Sequence, residues 1–152
     1  MTTSRFYYVT YIRTAPEALW DALIQPEHTK LYWGCTQESD WRRGAAWKMF
    51  LGDGRLADAG KVLEIDPPRR LVLEWENQFR PDLHAEGASR CTIEIEPMGD
   101  VARLTVLHEI DKEPSKFIEA VSGGWPMILS SLKTYLETGQ PLPSKPQPPK
   151  DA

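Results

Sequence analysis

Cysteine is nearly missing from this chain: Cys35 and Cys91 are the only two among 152 residues, too few for a disulfide framework. Histidine is as scarce. His28, His84 and His108 stand in no metal-ligand spacing, and neither do the cysteines, so no metal site is expected. No run of about 20 apolar residues occurs, which excludes a helical membrane span. A basic excess is lacking too. Eighteen Lys and Arg against 22 Asp and Glu leave a net charge of -4, which argues against a phosphate-tracking, nucleic-acid-binding face. There is no Gly-x-Ser-x-Gly nucleophile elbow, and Gly123-Gly124 is not followed by the Lys-Ser or Lys-Thr of a phosphate loop. Nothing in these patterns calls for a cofactor. The first residues, Met1 to Tyr8, lack the charged and apolar regions of a signal peptide, so a cytoplasmic address is the expectation.

What the chain does have is aromatic bulk and alternation. Six Trp, five Tyr and four Phe are enough for a large core or for the walls of a cavity. Residues 5–13 are rich in β-branched and aromatic types and read as a strand. Thr14, Pro16 and Glu17 look like a capping box with proline at the first helical position, and Leu19, Trp20, Leu23 and Ile24 supply the apolar stripe of that helix. Pro26 opens a second short helix that reaches about Trp33 and stops at Gly34.

From Ala46 the period becomes two. Strands over 46–51 and 55–65 flank the hairpin signal Gly52-Asp53-Gly54. In the next strand Leu71, Leu73 and Trp75 oppose Glu74 and Glu76. Cys91, Ile93 and Ile95 then oppose Glu94 and Glu96, and Leu104, Val106 and His108 oppose Arg103 and Thr105. Such alternation predicts an antiparallel sheet with one covered face. Residues 77–88 have no period and read as a loop. A last helix is predicted over 114–138, carrying Phe117, Val121, Trp125, Ile128, Leu132, Tyr135 and Leu136 on one side, with a kink at Gly123-Gly124-Trp125-Pro126. One domain over residues 1–139 follows. Residues 140–152 hold five prolines and are expected to form a disordered tail.

This order of elements resembles the helix-grip fold of the START and birch-pollen-allergen superfamily. The motifs resemble its branch named for the activator of heat-shock protein 90 ATPase. Four stretches carry the likeness: 11–23, 60–71, 104–109 and 124–137. The resemblance implies an α+β fold in which one curved antiparallel sheet wraps around a long C-terminal helix, with two short helices after the first strand. It also implies a cavity between helix and sheet that takes apolar or aromatic small molecules of lipid or polyketide type.

The strand faces and this resemblance together nominate Trp33, Trp47, Met49, Leu73, Trp75, Ile93, Val106, His108, Trp125 and Leu129 as the ligand-binding set. For Trp75 and Trp125 the readings as core and as cavity wall stand side by side. His108 is a hydrogen-bonded core histidine, a polar ligand contact or an acid–base group. Three functions remain open. The first is a carrier or binding module. The second is a cofactor-free cyclase, dehydratase or hydrolase in the same cavity. The third is a stress-related interaction protein that contacts a chaperone, and a homodimer is open as well.

Overall fold

The computed structural model describes residues 3–143. Strand β1 (Ser4–Ile12) is followed by helices α1 (Pro16–Ile24) and α2 (Pro26–Tyr32). Then come β2 (Cys35–Ser39), β3 (Ala46–Leu51), β4 (Leu56–Asp66), β5 (Arg70–Asn77), the short helix α3 (Pro81–His84), β6 (Ser89–Met98), β7 (Val101–Ile110) and α4 (Lys116–Thr138). The seven strands form one antiparallel sheet in the order β1-β7-β6-β5-β4-β3-β2, and α4 packs against β1 and β7. This is the helix-grip arrangement, with both short helices placed after the first strand.

The period-two faces fall as the alternation requires. Along β7 the alternate residues Ala102, Leu104, Val106, His108 and Ile110 are buried, and Leu71, Leu73, Trp75, Cys91, Ile93 and Ile95 join them from β5 and β6. A slip of one residue would have buried Glu74 and Glu94 instead. On the other face, Arg70 pairs with both Glu64 and Glu94 across three strands.

Four local expectations need correcting. The capping box at Thr14 does not form: the carbonyl of Ala15 accepts the first helical N–H, from Leu19, so Ala15 is the N-cap of α1, and alanine has no side-chain acceptor to offer. The segment 77–88 is not all loop, since Pro81–His84 makes a single helical turn. Residues 35–39 form an edge strand that no apolar alternation announced. Finally, α4 runs through Pro126 as one helix of 23 residues. It ends on Gly139, whose φ of 86° is the left-handed conformation that favours glycine. Residues 144–152 of the Pro-rich tail lie outside the described residues.

The start of α4 is secured from outside. Ser115 caps it by accepting the N–H of Ile118 at 3.1 Å. Glu86, from the segment after α3, accepts the Ser115 hydroxyl at 2.6 Å and the N–H groups of Lys116 and Phe117 at 2.8 and 3.3 Å. Glu86 and Ser115 together thus satisfy three of the N–H donors that a helix N-terminus leaves open.

Candidate functional site

A cavity of about 240 Å³ opens between α4 and the β2–β5 end of the sheet. Its wall is mostly apolar. Trp33, Met49, Trp75, Phe79, Phe117 and Trp125 supply the large surfaces, and Leu51, Leu83, Val121 and Ile128 fill between them. Gly34, Gly52, Ala120 and Gly124, all partly or fully exposed, stand at its rim. Gly124 has no close neighbour at the Cβ position beyond the Ile128 Cδ1, 3.9 Å away. Gly124 therefore keeps the wall of α4 thin beside the opening.

The aromatic residues form a connected line. Trp33 meets Trp125 with ring centroids 5.4 Å apart, Trp125 meets Trp75 at 5.8 Å, and Trp75 meets Trp47 at 4.6 Å. The last contact passes over Gly60. Trp47 on β3 and Trp75 on β5 are both register partners of Gly60 on the strand between them, and they meet above the residue that has no side chain.

Of the residues nominated from sequence, Trp33, Met49, Trp75 and Trp125 line the cavity together. The other six do not. Trp47 is fully buried and donates its indole N–H to Gln37 Oε1 at 2.9 Å. Leu73, Ile93, Val106 and Leu129 are core residues between sheet and helix.

His108 is also fully buried, behind Trp75 and Trp125. Its Nδ1 accepts from Trp125 Nε1 at 3.2 Å and its Nε2 faces Ser89 Oγ at 2.9 Å. Desolvation pushes its pKa down to about 3, so the ring is neutral at physiological pH. Of the three readings of His108, the geometry matches the hydrogen-bonded core histidine.

The polar end of the cavity was not foreseen. Asp58 on β4 lies directly opposite Asn77 on β5, and both line the wall. Burial pushes the Asp58 carboxyl up to about 7, against smaller opposing effects of the Trp75 and Asn77 N–H groups. Asn77 Oδ1 accepts the backbone N–H groups of Phe79 and Arg80 at 2.9 and 2.8 Å, which folds the turn that brings Phe79, Arg80 and Leu83 to the cavity. A signal for Asp58 did exist. Counting back by two from the buried Val62 through Gly60 reaches Asp58, on the covered side of β4. Cys35 shares the wall, and burial raises its thiol well above the ordinary range, which makes it a poor nucleophile.

Among the described residues no cluster of three His, Cys, Asp or Glu side chains is placed to hold a metal ion, and no helix is long and apolar enough to cross a membrane.

A sheet gripping a long helix, with an aromatic cavity at one end, defines a START-like class of protein. The family model described as activator of Hsp90 ATPase homolog 1-like protein matches residues 13–137, and the chain belongs to that family. No curated protein matches it.

Solved structures share the fold. The Aha1 dimer from Colwellia psychrerythraea is 20% identical, with a TM-score of 0.70 over 90% of this chain and 98% of that one. CalU16 from Micromonospora echinospora is 23% identical, with a TM-score of 0.70 over 91% and 77%. DynU16, a putative protein in the dynemicin biosynthetic locus, is 20% identical with a TM-score of 0.75 over 90% of this chain, which spans 48% of that protein.

Proposed function

We propose that this protein binds an apolar or aromatic small molecule in the cavity between α4 and the sheet, and does so in the cytoplasm. The observation that carries the reading is the cavity itself: about 240 Å³ walled by three tryptophans, two phenylalanines and a methionine. A wall of this kind gains about 25 cal/mol for each Å² of apolar surface it removes from water. Large aromatic faces with a few placed polar groups are the usual make-up of small-molecule sites. One solved structure of the same fold, DynU16, is described as a protein of the dynemicin biosynthetic locus, which is consistent with a small-molecule cargo. The cytoplasmic address is supported by two buried cysteines that are both free.

The test is an NMR titration with naphthalene that follows the indole N–H resonances. Saturable shifts should appear at Trp33, Trp75 and Trp125, while Trp20, buried in the core away from the cavity, should stay still. The absence of any saturable shift at those three residues would remove the reading.

Self-association is a second proposal. Strand β1 is an edge of the sheet and exposes Tyr7 and Tyr11, and the Colwellia relative is described as a dimer. Light scattering at increasing concentration checks it, with Tyr7→Lys expected to keep the protein monomeric. A chaperone contact rests on the family description alone, and stimulation of Hsp90 ATP hydrolysis would be its measure.

A further inference from the structure

If the cavity is the ligand site proposed above, its polar end selects among ligands. Asn77 Oδ1 is fully used by two backbone donors, which turns Nδ2 toward Asp58 Oδ1, 3.4 Å away. The other carboxyl oxygen of Asp58, Oδ2, has no donor among the described residues, although Asp58 is only 8% exposed. Beside it the indole N–H of Trp75 is near enough to the carboxyl to lower its pKa, but it closes no hydrogen bond with it. Buried polar atoms are nearly always paired, so the unpartnered Trp75 N–H beside the Asp58 carboxyl in a cavity wall marks where a ligand's polar group belongs, bridging the two.

The charge of that group follows from what the wall offers. An anionic ligand meets the like charge of ionised Asp58, and Arg80, the cation of the lining, already gives its Nη2 to Asp82 at 3.0 Å. An ammonium brings three N–H donors, whereas Asp58 Oδ2 is the one open side-chain oxygen among the lining residues, and Arg80 is a second cation in the same lining. A hydroxyl brings one donor, acceptor capacity and no charge. It donates to Oδ2 of the carboxylate or accepts from the acid form, and its oxygen is a partner for the Trp75 N–H. We propose that the cavity selects a neutral ligand, an aromatic or alicyclic alcohol or phenol, whose hydroxyl binds Oδ2 of Asp58 while its ring lies among Trp33, Trp75 and Trp125.

Isothermal titration calorimetry with four probes of one ring size tests this: naphthalene, 2-naphthol, 2-naphthylmethylamine (cationic at pH 7) and 2-naphthoate. In the wild type, 2-naphthol should bind about tenfold more tightly than naphthalene, as a hydrogen bond to a buried polar group provides. Both charged probes should bind more weakly than naphthalene. Asp58→Leu should abolish the preference, so that 2-naphthol and naphthalene bind with equal affinity. Asp58→Asn, which keeps an oxygen at the site, should retain most of the preference. Trp75→Phe keeps the ring, removes the N–H and provides a second variant if Asp58→Leu loses its native circular dichroism. It should weaken 2-naphthol by about threefold more than it weakens naphthalene, since both lose wall area and only the naphthol loses a hydrogen-bond donor. Equal wild-type affinity for naphthalene and 2-naphthol, or tightest binding of the amine, overturns the choice of a neutral hydroxyl and leaves the pocket reading intact. Binding of none of the four overturns both.

Discussion

Trp125 donates its indole N–H to Nδ1 of His108 at 3.2 Å, and this one bond sets the tautomer of the histidine. With Nδ1 an acceptor, the ring proton sits on Nε2 and is given to Ser89 Oγ at 2.9 Å. Ser89 in turn donates to the carbonyl of Trp75 at 2.7 Å. Both ring nitrogens of His108 and the Ser89 hydroxyl are satisfied while His108 is neutral. A second proton on Nδ1 would break the bond to α4.

The stability of the protein should therefore carry an unusual pH signature. His108 titrates at about 3 when folded, against about 6.5 unfolded, so below pH 6.5 the unfolded chain binds the extra proton and stability falls as pH falls. Asp58 titrates at about 7 when folded, against about 3.9 unfolded, so between those values the native state binds the extra proton and stability falls as pH rises. From pH 5 to 6 the two slopes oppose and nearly cancel. Asp58→Asn removes one of them, and urea unfolding of that variant should show stability rising by about 1 kcal/mol over that single pH unit while the wild type stays flatter. Equal slopes for the two proteins would contradict the assignment.

Gly60 should be intolerant of any side chain. A Cβ there would lie 1.7 Å from the carbonyl oxygen of Glu74 and 2.6 Å from its carbon, and backbone cannot swing aside as a flexible side chain can. Gly60→Ala should cost about 3 kcal/mol, at the upper end of overpacking penalties. Its near-ultraviolet circular dichroism should change as well, because the Trp47–Trp75 contact passes over this residue.

Ala120 offers the opposite case. It is exposed on α4 and stands at the rim of the cavity. Ala120→Trp should lower stability by only about 0.5 kcal/mol, the helix-propensity difference. It should weaken naphthalene binding at least tenfold by closing the entrance. A melting curve beside the NMR titration separates the two effects.

Removing Glu86 should loosen the start of α4. Desolvation opposes its charge, but the Ser115 hydroxyl and the N–H groups of Lys116 and Phe117 outweigh that and hold its carboxyl below the usual range. Its contribution is therefore present at neutral pH and is lost as pH falls through the carboxylate range. Glu86→Ala should destabilise by about 1 kcal/mol at pH 7, as the loss of a helix cap does. The gap to wild type should narrow at pH 4 in thermal melts.

Alternation and periodicity in the sequence determined the strands, their covered faces and the long helix, because a sheet with one buried side tolerates no slip of register. Val106, His108, Leu73 and Trp75 could be placed on the inner face from their charged neighbours alone. Periodicity assigns a face, however, not a depth. His108 and Trp47 share inner faces with true wall residues, yet other aromatics stand between them and the cavity, a result of how α4 crosses the sheet. Asp58 shows the same limit from the other side. Beside a glycine-rich hairpin it reads as one more solvated carboxylate. Only its pairing with Asn77 across β4 and β5, under the helix, removes it from water and puts an unpaired oxygen at the end of an aromatic cavity. Burial of that kind comes from contacts between residues far apart in the chain, and local sequence carries no record of which of them will meet.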